Sequence, residues 1–416
     1  MKIALLGYGK EGKSAEKYFK SHLEDVEIDI FENFTPEEAK QRDYSPYDII
    51  LRSPSVPPLR LPNESSVTKY FFDHCPCPII GVTATKGKGT TCSFIKSLLD
   101  AHHERAYLVG NIGAPAIDIL DSLTADSVVV YEMSSFQLWD LDKSPHIAII
   151  GQLEPDHLNV HKDYDDYLSA KSNICRHQSP DDYCIYYTNN PDSVKLAKLS
   201  PAHQIPYPFD IPDDIKQAIT LPGDHNRSNA LAAVAAVASY YNISPDEYLR
   251  DKKSEIIEGL HNFKGLPHRL EFLRELNGVK YYDDNFSTNL SSTKVAVNAF
   301  PDDSIVLILG GRDKTDYQDL PELHKLISPL NISRVILIGE SGHKLYTDFH
   351  EPKYMLTESL EEAVAAAQQE AEILAAVGYS KHDTIVLMSP AAASFDMFDN
   401  VYDRGAKFQS LIRSLK

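Results

Sequence analysis

The sequence predicts a multidomain α/β protein in which parallel strands deliver loops to the N-termini of helices. Short apolar strand patterns alternate with helical patterns along the whole chain. Two of the strand-to-helix junctions are rich in glycine. The length of 416 residues exceeds what one hydrophobic core usually supports, which suggests about two to three domains.

The first element is the apolar run KIALL, followed by a glycine turn, a helix opening at KSAEKYF, and a second strand, VEIDIF, ending at Glu32. Gly7, Gly9 and Gly12 form a G-x-G-x-x-G turn with Glu32 some 20 residues beyond. Such a turn brings backbone amides to a pyrophosphate, and the acidic residue reaches a ribose. The unit is Rossmann-like, and by itself it leaves a nucleotide-binding oxidoreductase open. IILRS is the next strand, after which Pro54, Pro57 and Pro58 favour a nucleotide-facing loop, because proline fixes φ and lacks an amide hydrogen. The Cys-Pro-Cys-Pro stretch then acts as a linker, giving a first domain of 1–74.

A second strand–loop–helix opens at PIIGVTATKGKGTTCSFIKSLL. Its phosphate loop is expected from Gly81 to Thr91, with Thr85, Lys86, Gly87, Lys88, Gly89, Thr90 and Thr91 around ATP. Glycines let amides approach phosphate oxygens, Lys88 offsets the β/γ charge, and the helix N-terminus adds its dipole. The loop departs from G-x-x-x-x-G-K-[ST], since Gly81 lies one residue early and Gly89 replaces the magnesium-binding hydroxyl, leaving Thr90 or Thr91 to supply it. A glycine-rich turn without nucleotide is the competing reading of the loop alone. Strands at Ser127–Tyr131 and Ile147–Ile150 and a buried Ala/Val-rich helix at Ala230–Tyr240 complete a central P-loop ATPase-like domain, 75–265. IVLIL, VILI and TIVLM, with a helix over Leu360–Ala376, form a Rossmann-like C-terminal domain, 266–416.

The formal charge of -19 disfavours nucleic acid and anionic membrane surfaces as partners. No apolar run approaches the roughly 20 residues of a membrane span, so a cytoplasmic monomer without membrane insertion is expected. Cys75, Cys77, Cys92, Cys175 and Cys184 are odd in number and lack CxxC spacing, so free thiols are expected.

In order along the chain stand LLGYGKEGKS, LRSPSVPP, GVTATKGKGTT, GNIGAPAIDIL, YEMSSFQL, EPDHLNVH, LSAKSNI, GDHNRSNALAA, GLPHRLE, DDNFSTN, LGGRDK and SPAAASFDMFDNVYDRG. With these segments the chain resembles the Mur ligases from end to end, most closely the branch that adds D-glutamate to UDP-N-acetylmuramoyl-L-alanine. The resemblance implies an ATP-dependent amide ligase of peptidoglycan precursor synthesis that works through an acyl phosphate. It implies Mg2+, or Mn2+, held by Glu132, His157 and Thr90, and a Lys171 carbamylated by carbon dioxide to become an anionic metal ligand. Lys88, Glu132, His157 and Lys171 are then the catalytic set.

The resemblance also implies that Asn226 and Asn229 hold adenine or ribose, Arg269 phosphate and Asp284 ribose, while His268 supports the geometry. The spacing of the two asparagines puts them on one helical face. Gly12, Lys13 and Ser14 would face the diphosphate, Glu32 and Asn33 the uracil region, Ser53 the nucleotide and Asn111 the muramoyl part. Lys314 and Ser394 would bind the D-glutamate carboxylates. Blander readings are a strand-end charge for Glu132, a cap for His157, Asn226 or Ser394, and a solvated helical lysine for Lys171. Phe286 stands where the family has lysine, and Val401 where it has an aromatic residue, so a different incoming amino acid is an alternative. A folate-polyglutamylating relative and a non-catalytic UDP-sugar sensor are others.

Overall fold

The apolar runs pair into three sheets in the computed structural model, which describes residues 1–329, 331–377 and 382–416. The first contains β1 (Lys2–Leu6), β2 (Glu27–Phe31), β3 (Ile49–Arg52) and β4 (Glu64–Ser66), in the order β2-β1-β3-β4. All its pairings are parallel. The second contains β5 (Ile79–Thr83), β6 (Arg105–Gly110), β7 (Ser127–Glu132), β8 (Ile147–Ile150), β9 (Tyr183–Tyr187) and β10 (His203–Tyr207). It is parallel throughout, with order β10-β9-β8-β5-β7-β6.

The chain therefore winds from β5 out to one side through β6 and β7, then to the other through β8, β9 and β10. The carboxyl end of β5 is the switch point, where open α/β sheets leave a crevice for ligands. Every residue of β5, β7 and β8 is buried, as expected where helices cover both faces of a parallel sheet.

The third sheet contains β11 (Glu271–Leu276), β12 (Val279–Asp283), β13 (Ser304–Gly310), β14 (Ile332–Ile338), β15 (Tyr354–Leu356) and β16 (Thr384–Met388), in the order β11-β12-β16-β13-β14-β15. Only β11 runs antiparallel to its neighbour. By contacts the described chain forms two units: 1–220 with 225–263, which carries the first two sheets, and 221–224 with 264–416, which carries the third.

Helices also fall where the pattern places them. Leu360–Ala376 is helical over the expected span, and the alanine-rich segment lies within a helix, Asp224–Tyr240, buried from Ala230 to Ser239. The helix after β5, Lys88–Ala101, packs closely on Lys253–Asn262, where a Cβ at Gly259 would lie 2.7 Å from Leu98 Cα. Strands without a clear apolar run were not anticipated: β4 and β15 have three residues each, and β10 contains Pro206 at a sheet edge. The five cysteines are free.

Candidate nucleotide and metal site

The loop after β5 is shorter than expected. Gly81 lies inside β5, where a Cβ would meet Pro145 Cγ at 2.7 Å, so it is a packing glycine and no part of the phosphate loop. The turn itself runs from Ala84 to Gly87, and the helix begins at Lys88. Gly87 adopts φ +84, a left-handed conformation that favours glycine, and a Cβ there would come within 2.7 Å of Asn229 Oδ1. As N-cap it provides no side-chain acceptor, which leaves the first helical amides directed at the loop mouth. Thr91 is buried and Thr90 only partly so; Thr85 uses its hydroxyl internally, with Tyr167 OH at 2.8 Å and Glu154 O at 3.0 Å.

Two lysines meet at this loop. Lys88 Nζ donates to Ala84 O at 2.9 Å and Thr85 O at 3.1 Å. Lys171 Nζ donates to the same Ala84 O at 2.9 Å and to Thr83 Oγ1 at 3.0 Å. Lys171 sits in the helix Tyr164–Ser172 but is only 1% exposed, which rules out the solvated helical lysine. Burial holds its pKa well below the usual lysine range, and the Lys88 charge acts the same way, against the weaker opposing pull of Asp156 and Glu132.

Glu132 ends β7 beside Val82 of β5, buried, and its Oε1 accepts from Asn111 Nδ2 at 3.2 Å. His157 lies in the loop after β8 with φ 54, outside any helix, so it caps none. Its half-exposed ring tilts against Phe136, 4.9 Å between centroids. His161 is buried and fixed by Ser135 Oγ at 2.9 Å and Asp166 Oδ2 at 3.0 Å, its ring also stacked with Phe136. Asn226 is buried as the third residue of Asp224–Tyr240, hence not its cap.

At the N-terminal glycine turn, Glu32 and Asn33 line a cavity of about 340 Å³ together with Gly7, Tyr8, Gly9 and Pro57. Ser53 is buried behind it, bonded to Ser55 Oγ at 3.0 Å. Gly12 packs so tightly that a Cβ would lie 2.3 Å from Gly7 O. Lys13 reaches over the Tyr8 ring, and Ser14 Oγ donates to Asp118 Oδ2 at 3.1 Å.

In the second unit, both oxygens of Asp284 are engaged, one by Ser389 Oγ at 2.7 Å and one by Leu270 N at 3.2 Å, and burial pushes its pKa up to about 6. The exposed Arg269 guanidinium lies over the Phe286 ring at 5.6 Å. Lys314 lines a cavity of about 680 Å³ with Arg312, Thr315 and Tyr317 and donates to Thr288 Oγ1 at 3.1 Å. Ser394 Oγ is buried without a hydrogen-bond partner, so it caps no helix. His268, Glu271 and Asp283 cluster closely enough to suggest a metal, but Gln409 Nε2 points an N–H into the group, 2.8 Å from Glu271 Oε2 and 2.9 Å from Asp283 Oδ2. A donor in that position marks a hydrogen-bond network.

Sequence profiles for the Mur ligase middle domain and for the Mur ligase glutamate ligase domain match residues 82–217 and 268–391. A UDP-N-acetylmuramoylalanine--D-glutamate ligase of Clostridium botulinum (strain Okra / Type B1) is 32% identical over 407 residues, covering 89% of this chain and 83% of the relative. The enzyme of the same name from Acetivibrio thermocellus is 32% identical over 412 residues, with coverage of 89% and 83%. The chain belongs to the Mur ligase family.

Solved structures share the Mur ligase fold at low identity. UDP-N-acetylmuramate-alanine ligase MurC from Thermotoga maritima superimposes with TM-score 0.58 at 17% identity, over 100% of both chains. MurF ligase from the same organism, in complex with ADP, gives 0.58 at 14% identity, over 89% of this chain and 90% of that one. Within this Mur ligase, the expected residues Lys88, Lys171, Glu132, Thr85 and Asn229 gather around the carboxyl end of β5, while Glu32 and Asn33 share a separate cavity with the glycine turn. Tyr167, His161 and the fully buried Arg404 were missed. Arg404 bonds to Asn285 and the carbonyls of Ala392 and Ala393, contacts whose sequence separation hides them from any local pattern. The aromatic residue absent at Val401 stands one position later: Tyr402 is 67% exposed and meets the Phe286 ring edge-on.

Proposed function

We propose that this Mur ligase uses ATP to join D-glutamate to UDP-N-acetylmuramoyl-L-alanine through an acyl phosphate. The observation that carries the reading is the convergence of Lys88 and Lys171 on Ala84 O at the end of β5, beside the Glu132 end of β7. Residues 1–74 take the sugar nucleotide, 75–265 ATP, and 266–416 the amino acid, in a cytoplasmic monomer; among the described residues no helix is long and apolar enough to cross a membrane.

A carboxylate resists attack by an amine, so it must first accept the γ-phosphoryl group of ATP. Bringing those two anions into line is a task of positioning and charge neutralisation. The amides after Gly87 and the Lys88 ammonium serve it, with Lys88 held at the loop by the carbonyls of Ala84 and Thr85. The amine of D-glutamate then attacks the acyl carbon and phosphate leaves. Asn226 and Asn229 hold the nucleoside, with Arg269 on phosphate and Asp284 on ribose. Lys314 and the unpartnered Ser394 hydroxyl receive the carboxylates of the amino acid.

Mg2+ supplies further charge neutralisation. Glu132 and His157, a carboxylate and an imidazole, suit a partly hydrated divalent cation, and Thr90 offers the hydroxyl absent at Gly89. Asn111 fixes the Glu132 carboxylate, and Phe136 fixes the His157 ring. Lys171 fits a carbamate. Its buried amine is held towards the neutral, nucleophilic form, so its nitrogen could bond to the carbon of CO2 with loss of one N–H proton, and an anionic oxygen ligand would replace a neutral amine.

Phosphate release measured with a panel of D- and L-amino acids tests the reading. Release only when UDP-N-acetylmuramoyl-L-alanine, ATP and D-glutamate are all present is expected. A stronger response to another amino acid would move the specificity, and would point to Phe286 and Tyr402 as its source.

A further inference from the structure

We propose that Cys75 and Cys77 form a site of reversible oxidation, at which a hydroperoxide converts the two thiols into a disulfide across Pro76. The site uses none of the residues assigned to ligation, and the inference stands apart from that reading. It begins in the sequence Cys-Pro-Cys-Pro. The helix Val67–His74 stops at Cys75, whose N–H still bonds to Phe71 O at 2.9 Å. Pro76 has no N–H to continue the ladder and disfavours helical geometry in the residue before it, so Cys75 is extended, with φ -68 and ψ 120. In extended backbone, residues two apart share a face. The thiols accordingly lie on one side of the proline, 3.7 Å from Sγ to Sγ, with Cys75 Sγ 3.5 Å from Cys77 O. A disulfide draws two sulfurs to about 2.05 Å, and the ring it closes here ends before β5 begins at Ile79.

Access separates this pair from the other cysteines. Cys75 and Cys77 are half-buried, packed against the core of the central sheet, while Cys92, Cys175 and Cys184 are fully buried. Cys184 also has a thiol neighbour, Cys175, but neither is open to an oxidant. The hydrogen bond from the Cys77 thiol holds Cys75 below the usual cysteine range, against the effect of burial, and raises Cys77. Cys75 is therefore the nucleophile and Cys77 the resolving thiol. The Cys75 thiolate attacks one peroxide oxygen, the O–O bond breaks, and a sulfenic acid forms with release of hydroxide or alkoxide. Cys77 sulfur then attacks Cys75 sulfur; the S–OH bond breaks, and the hydroxyl leaves as water with the Cys77 proton. The peroxide gains the two electrons that the thiols lose. A dithiol reductant reverses the bond by exchange. Cys77 thus captures the sulfenic acid before a second peroxide carries it to the irreversible sulfinic stage.

The test exposes the full, reduced chain to hydrogen peroxide, alkylates the remaining thiols after unfolding, and maps them by mass spectrometry of tryptic peptides. Residues 70–86 form one such peptide, which holds Cys75 and Cys77 and no other cysteine. The expected result is that this peptide loses two hydrogens and takes no alkyl group, that dithiothreitol restores it, and that Cys92, Cys175 and Cys184 are alkylated in full. Cys77→Ser should stop at a sulfenic acid that a cyclic 1,3-dione traps on Cys75, and more peroxide should drive it to the sulfinic acid that the unaltered protein resists. The unaltered chain alone decides whether the bond forms, so misfolding of the variant leaves the test intact. Two free thiols in that peptide after peroxide, a sulfinic acid on Cys75 in place of the disulfide, a disulfide to any other cysteine, or equal oxidation of the buried cysteines would overturn the inference.

Discussion

Lys88 and Lys171 share one carbonyl oxygen, yet the proposed mechanism requires opposite charges on them during turnover. Lys88 stays cationic and neutralises the transferring phosphoryl group. Lys88→Ala should lower turnover by at least about a hundredfold, the scale of losing a preorganised transition-state contact, and steady-state kinetics will check it. Burial lowers the pKa of Lys171, and the sign of its pH effect follows. Its folded pKa lies below its unfolded value, so between the two the unfolded chain binds more protons and stability rises with pH. Lys171→Met removes this penalty. In CO2-free buffer near neutrality the variant should melt no lower than the parent protein, while its turnover falls at least about a hundredfold; a large loss of Tm with activity intact would contradict both parts. Added bicarbonate should raise the activity of CO2-depleted parent protein and leave the variant unchanged.

At the level of elements, the loop after β5 separates two glycines that a linear motif runs together. Gly81→Ala places a methyl group against Pro145 within a buried strand, and overpacking of this kind costs about 1–3 kcal/mol. Gly87→Ala forces a side chain into a left-handed turn and against Asn229. The first variant should lose Tm and keep its kcat at a permissive temperature; the second should lose kcat or ATP affinity out of proportion to its Tm. Thermal melts and kinetics on the pair will tell. The glycines, Lys88 and the end of β7 could be read along the chain because strand, turn and helix are contiguous there. His161 and Arg404 could not, because Ser135 and Asn285, which give them meaning, are brought near only by the fold. The register of Gly81 was misread for a related reason: spacing counts residues, whereas its place is set by Pro145 across the sheet.

For the whole molecule, alternating apolar runs were enough to anticipate three α/β sheets, since parallel strands covered on both faces need continuous hydrophobic runs. Sheet edges escaped, as in β10 and the antiparallel β11, where one side of the strand lacks a partner and the pattern weakens. The molecule as a whole is read as a ligase that turns over ATP only when its acid and amine substrates are both present. The most direct measurement follows ADP formation together with the mass of the UDP-linked product. One ADP is expected for each UDP-N-acetylmuramoyl-L-alanyl-D-glutamate formed, with no sustained ADP formation when either partner is omitted. Turnover of a nicotinamide cofactor without ATP, or no ADP with the full set of substrates, would contradict this reading.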